Sequence, residues 1–325
     1  MRLRLRELLL ISSLFGLLGC SGGDDPALWK EYALAGAYSA SISEKAGFVS
    51  IGSYNHGGSL WRTQGHERLF NWNHKEGDLS IIAATAFSPE EDYAVTANQQ
   101  DIVLWDVRTG KPEWFWNSPA EILQMDLAPS GDFALLGLAD HTAVYFDVKN
   151  GGVKRTFRHD ARVRSVDLSH DGKLALTGSD AYKAKLWSVE TGKLLKEISF
   201  SNVVDTVAIS PNNQLAFSAG SLDKAVIWDL NSGQELHTIS NLKSLAQKRV
   251  SYLSARFSAD SRQLLTGTAA GLVQLWDVNS GKELRRWRIH KRDPYGPVHA
   301  GVYAVAFGQG KYYAMGSNGI MNELK

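Results

Sequence analysis

Most of the chain is written in short runs of alternating apolar and polar residues, separated by turn residues. Residues 162–197 show the grammar. Residues 162–169 alternate, Ser169-His170-Asp171-Gly172 is a turn, and residues 173–178 alternate again. A polar turn through Asp180 leads to residues 183–189, Glu190-Thr191-Gly192 turns, and a last run covers residues 193–198. Short period-two runs with turn signals at this spacing predict antiparallel strands and an all-β protein. Gly192 supplies the positive φ that a short hairpin turn requires.

The same phrase returns along the chain. Leu104-Trp105-Asp106-Val107-Arg108-Thr109-Gly110, Ile227-Trp228-Asp229-Leu230-Asn231-Ser232-Gly233 and Leu275-Trp276-Asp277-Val278-Asn279-Ser280-Gly281 are close copies. Tyr145-Phe146-Asp147 and Leu186-Trp187-Ser188 open worn ones. The aromatic anchors fall at 105, 146, 187, 228 and 276, in steps of 41, 41, 41 and 48 residues. A fixed period of this size marks a repeat architecture. In four of the copies an Asp (Asp106, Asp147, Asp229 and Asp277) is placed to accept from amides inside the following turn. A second motif recurs in phase: Phe87-Ser88-Pro89, Leu127-Ala128-Pro129, Ile209-Ser210-Pro211 and Phe257-Ser258-Ala259.

These two motifs together resemble the WD-repeat family of β-propellers. The resemblance implies a seven-bladed propeller of four-stranded antiparallel blades over residues 27–325. Six third strands end at Trp61, Trp105, Phe146, Trp187, Trp228 and Trp276; a seventh ends with Leu324 in the Trp position. That last blade is one strand short, and Leu28-Trp29-Lys30-Glu31-Tyr32-Ala33-Leu34 is the candidate to complete it and close the ring, which protects sheet edges. Trp61, Trp105, Trp187, Trp228 and Trp276 are then structural. The family's Gly-His dipeptide is nearly absent. His159 stands where its histidine belongs, and with Thr177 or Ser179, Asp180 and Trp187 it is expected to form a structural hydrogen-bond network in the fourth blade.

The first residues do not follow the repeat. Arg2, Arg4 and Arg6 precede an apolar run of 11 residues, 8–18, whereas a spanning helix needs about 20. Residues 1–19 therefore read as a secretory signal. Leu17-Leu18-Gly19-Cys20 resembles a bacterial lipobox, which implies cleavage before Cys20, acylation of Cys20 and a lipid anchor. Residues 20–26 then form the acylated end and a polar tether reaching at most about 25 Å to Ala27. By the same resemblance, Ser21 favours outer-membrane sorting within a bacterial envelope. Cys20 is the sole cysteine, so an exported chain of this kind stands on its core rather than on disulfides.

Composition excludes little else. The formal charge of +1 lacks the basic excess of a nucleic-acid partner, and loss of residues 1–19 leaves −1. No nucleophile elbow, phosphate loop or His-Glu-x-x-His appears. The pair His290 and His299 could join a metal site with Asp293, but reads as solvated loop. Asp-x-x-Thr-Gly-Lys also occurs in quinoprotein propellers, whose repeats lack the Phe-Ser-Pro turn; no cofactor, metal or enzymatic activity is expected. The informative irregularities are two long links, around residues 241–249 and 290–299. Insertions in a repeat array map to loops on the binding face, so Lys243, Lys248, Arg249, Lys291, Arg292, Tyr295 and His299 are candidate partner contacts. Arg285-Arg286-Trp287-Arg288 reads instead as charge protecting an outer edge strand. The reading is a lipid-anchored, monomeric scaffold for a protein partner. A ligand or enzymatic site at the channel mouth is the alternative, and a helper in outer-membrane assembly a weaker one.

Overall fold

In the computed structural model, residues 22–75, 77, 79–239, 250–293 and 300–325 are described. Among them, twenty-eight strands form seven four-stranded antiparallel sheets, with one short 3-10 turn at Gln64–His66. The fourth blade shows how closely the repeat grammar holds. Its strands are Val163–Leu168, Leu174–Ser179, Lys183–Ser188 and Leu194–Ser199, from the channel outward. No helix among the described residues is long and apolar enough to cross a membrane.

Ring closure follows the expected clasp. Leu28–Glu31 pairs antiparallel with Ile320–Leu324, with Leu28 opposite Glu323 and Glu31 opposite Ile320. The strand is shorter than residues 28–34 because Tyr32 and Ala33 both donate their N–H to the Gly319 carbonyl, at 2.8 and 3.0 Å, and turn the chain toward the first blade. Leu324 is fully buried in the tryptophan position and packs with Leu275 and Trp287 of the preceding blade.

The core lies between the sheets. Met125, Leu136 and Phe146 of the third blade pack on Val95 and Leu104 of the second. Polar staples supplement this packing: Ser39, Thr206 and Ser254 hydroxyls donate to Ile82, Tyr252 and Val302 carbonyls of the next blade at 2.7, 2.7 and 2.9 Å. Buried backbone groups near the channel need such partners.

The repeated phrase is structural, as its residue types imply. The indole N–H of Trp105, Trp187, Trp228 and Trp276 donates to Thr96, Thr177, Ser218 and Thr266 at 2.8, 2.9, 3.1 and 2.9 Å. Trp61 differs: it donates to Ser59 at 3.0 Å and stacks 4.2 Å from Tyr32 beside the clasp. In the third-to-outer turns, Asp229 and Asp277 accept the N–H of Ser232 and Ser280 at 2.7 and 2.8 Å. These serine contacts hold both carboxyls below the usual range.

His159 enters its network through Thr177, whose hydroxyl lies 3.0 Å from Nε2. Asp180 does not join it. Arg162 donates Nε to its Oδ2 at 2.9 Å, and Arg164 also binds it. The register shift between Val163 and Ser165 brings Arg164 within reach. Burial raises the Asp180 carboxyl, but the two guanidiniums outweigh it and hold the group below its usual range. The second blade repeats the arrangement with a residue the sequence pattern did not select: His74 Nε2 lies 2.8 Å from the Thr96 hydroxyl. Burial pushes His74 down to about 4 and His159 to about 3, so both rings are neutral at physiological pH.

Two outcomes test this account. Deleting residues 1–36 removes the clasp and should lower the melting temperature by more than about 10 °C, each kcal/mol being worth a few degrees; calorimetry showing no change would refute closure by this strand. Thr177→Val strands two buried nitrogens, on His159 and Trp187, and should cost about 2–3 kcal/mol in denaturant unfolding.

Candidate functional site: the channel and the link face

Strand alternation gives the ring two distinct faces. Inner-to-second and third-to-outer turns share one face. Second-to-third turns and the outer-to-inner links share the other, called here the link face. Between them runs a channel of about 250 Å³ lined by all seven inner strands.

The channel is polar near the first of these faces. Asp126 and Asp167 occupy the penultimate position of consecutive inner strands, where Ala86, Ala208 and Ala306 stand in other blades. Asp126 Oδ2 accepts the Leu168 N–H at 2.8 Å, and Asp167 Oδ2 accepts the Ile209 N–H at 2.6 Å. Each carboxylate therefore ties its blade to the next. Arg256 in the sixth blade reaches across to the first. It donates Nη1 and Nη2 to the Ser43 and Ile42 carbonyls of the first, at 2.9 and 2.8 Å.

Burial pushes Asp126 up to about 6, against the N–H groups that favour its charged form. Burial, and then the Asp126 charge, raise Asp167 well above the ordinary range. Burial likewise lowers Arg256, opposed by the charges of Glu44, Asp167 and Asp126. Two buried carboxyl groups thus share the ring with one buried guanidinium. The arrangement favours the protonated form of both aspartates and can stabilise a positive charge. Among the described residues no three His, Cys, Asp or Glu side chains converge as metal ligands. His290 stacks on Trp29 at 3.8 Å.

The sequence-selected partner residues separate. Lys243, Lys248, Arg249, Tyr295 and His299 lie outside the described residues, as does Cys20. Lys291 and Arg292 are described, in the link from the sixth blade to the seventh, with Lys291 partly buried and Arg292 exposed. Arg292 is bound within the fold. It pairs with Glu31 of the clasp and donates Nη2 to the Ala33 and Asn318 carbonyls at 3.0 and 2.7 Å. Around it the link face exposes Leu34, Tyr38 and Tyr54, the two tyrosine rings 4.0 Å apart. Further round, Tyr182 and Leu222 project from second-to-third turns with φ of 64° and 48°. The sequence pattern did not select these turn tips, because each looks like one more variable turn residue.

Comparison with known families gives one match: the WD domain, G-beta repeat, over residues 151–188. This is one repeat, ending at the close of the third strand of the fourth blade. With seven four-stranded blades and an N-terminal clasp, it supports a WD-repeat propeller. None of the curated proteins gives a significant match.

Two variants probe the site. Asp126 and Asp167 bind protons in the folded ring that the unfolded chain releases, so their contribution is fully present below about pH 4 and is lost as pH rises through 6 and beyond. Asp167→Asn keeps the acceptor for Ile209 and removes the charge. It should melt about 2–4 °C above the parent at pH 7.5, with the difference vanishing near pH 4; a lower melting temperature at pH 7.5 would count against the account. Arg292→Ala should cost about 1 kcal/mol by releasing the clasp, read as a lower melting temperature without any partner present.

Proposed function

We propose that the protein is a lipid-anchored scaffold of the bacterial envelope, favouring the outer membrane, whose link face docks a protein partner. The propeller fold of WD repeats generally mediates protein–protein interaction, and the anchor reading rests on Leu17-Leu18-Gly19-Cys20. In this reading no residue is catalytic and no cofactor is needed.

The observation that carries the docking face is strain at exposed, bulky turn tips. A left-handed conformation costs an L-residue about 1–2 kcal/mol. At the turn position of Tyr182, the sixth and seventh blades carry Gly271 and Gly319, with φ of 74° and 77°. Tyr182 and Leu222 remain 47% and 56% exposed, so burial does not offset their strain. Unfavourable backbone geometry kept for an exposed side chain points to a role in contact. Tyrosine is among the residues that dominate binding energy at interfaces. A rigid ring also spares a partner most of the ordering cost on docking.

The second reading, a small-ligand propeller, is favoured by Asp126, Asp167 and Arg256 in the channel. A cationic ligand would suit that charge balance and would raise the melting temperature of the parent but not of Asp167→Asn.

For the scaffold reading, Tyr182→Gly with Leu222→Gly should leave the melting temperature unchanged or slightly raised. In-cell crosslinking followed by mass spectrometry should show loss of the protein partner captured by the parent. Retention of the same partner at the same yield would remove the link face from the proposal.

A further inference from the structure

Residues 22–26, read from sequence as a free tether, are seated on the ring. Asp24 donates its N–H to the Arg286 carbonyl and accepts from Arg288 N, both at 2.9 Å, forming a parallel bridge beside Trp287. Its carboxylate takes Arg285 Nε at 3.1 Å, and the Gly22 carbonyl takes Arg288 Nε at 3.3 Å. Gly23 has φ of 84°, and a Cβ there would lie 3.0 Å from the Trp287 carbonyl carbon, so the close approach requires glycine. Ala27 then donates to Glu323 at 2.8 Å and the clasp begins. The segment closes the seam between the outer edges of the sixth and seventh blades. The arginines of the Arg285-Arg286-Trp287-Arg288 edge hold this segment as well as guarding the edge.

Beside the seam, Leu28, Trp29 and Leu284 are 48%, 46% and 53% exposed. Cys20 precedes Gly22 by two residues, a span of at most about 7 Å. We propose that a lipid bilayer docks on this rim, the outer edge where the sixth and seventh blades meet, with Leu28, Trp29 and Leu284 entering its interfacial zone. The inference rests on the acylation of Cys20 proposed above. An acyl chain rooted within about 7 Å of Gly22 draws this rim toward the membrane. Aromatic side chains such as Trp29 favour the headgroup level. Asp24, Asp25, Glu31 and Glu283 offset Lys30, Arg285, Arg286 and Arg288 along the seam, so the contact does not require anionic lipid. Trp114 and Phe115 on the outer strand of the second blade are as exposed, but no segment ties them to the anchor. Docked on its rim, the ring lies with its channel axis along the membrane plane, and the link face stays open to a partner.

The test uses the full chain purified from membranes and reconstituted in phosphatidylcholine vesicles containing a nitroxide-headgroup lipid. Acylated Cys20 has no free thiol, so a fluorophore can be placed at Lys30→Cys or at Glu113→Cys, beside Trp114. Quenching at position 30 should exceed that at 113 several-fold, and the contrast should fall in Asp24→Pro, which loses the N–H donated to Arg286. Equal quenching, stronger quenching at 113, or a contrast untouched by Asp24→Pro overturns the rim proposal while leaving the anchor intact. A mass showing unacylated Cys20 overturns both.

Discussion

Everything in this structure depends on the pairing of Leu28–Glu31 with Ile320–Leu324. A four-stranded blade has two open edges and two apolar faces, and none of the seven could bury both faces without a neighbour on each side. The ring solves the problem for six blades by succession and for the seventh only by bringing back the start of the chain. Arg292 then ties the returning strand to the link on one side and to the Asn318 turn on the other. Three connections distant in sequence become one corner of the link face.

Around the channel the chain pays for closeness with polarity. Inner strands approach one another near the axis, where small hydroxyls and carboxylates reach the next strand's backbone. Asp126, Asp167 and Arg256 are the extreme cases, because the groups that join blades are also ionisable and withdrawn from water. Their desolvation is tolerated because each meets backbone donors or acceptors, which distinguishes a strut from an empty acidic pocket.

The architecture was legible in the sequence because the same local chemistry is repeated. Turn Asp and Gly, the Trp with its hydroxyl partner, and the Leu324 substitution all follow from residues four to ten positions apart. What was hidden depends on contacts between blades or on spacing broken by a link. His74 lies ten residues ahead of its inner strand, whereas His159 lies four ahead, so the fixed offset missed it. Asp180 is assigned to His159 by pattern, whereas Arg162 and Arg164 take its carboxylate in the fold. The channel charges left a trace in the sequence, charged residues at a position held elsewhere by alanine or serine. Its meaning needs the ring closed, since Arg256 and its acceptors are over two hundred residues apart.

The clasp also bears on how the ring is completed. Its two strands are separated by nearly the whole chain, so their pairing closes the longest loop between paired strands and carries the largest closure entropy. Until then the chain is an open arc with one unpaired strand at each end, and these two ends are complementary. At high local concentration, the arc of one molecule can accept the first strand of another as readily as its own, giving exchanged dimers from unaltered sequence. Holding the start of the chain in place, as the Asp24 bridge does, makes the intramolecular partner the nearer one.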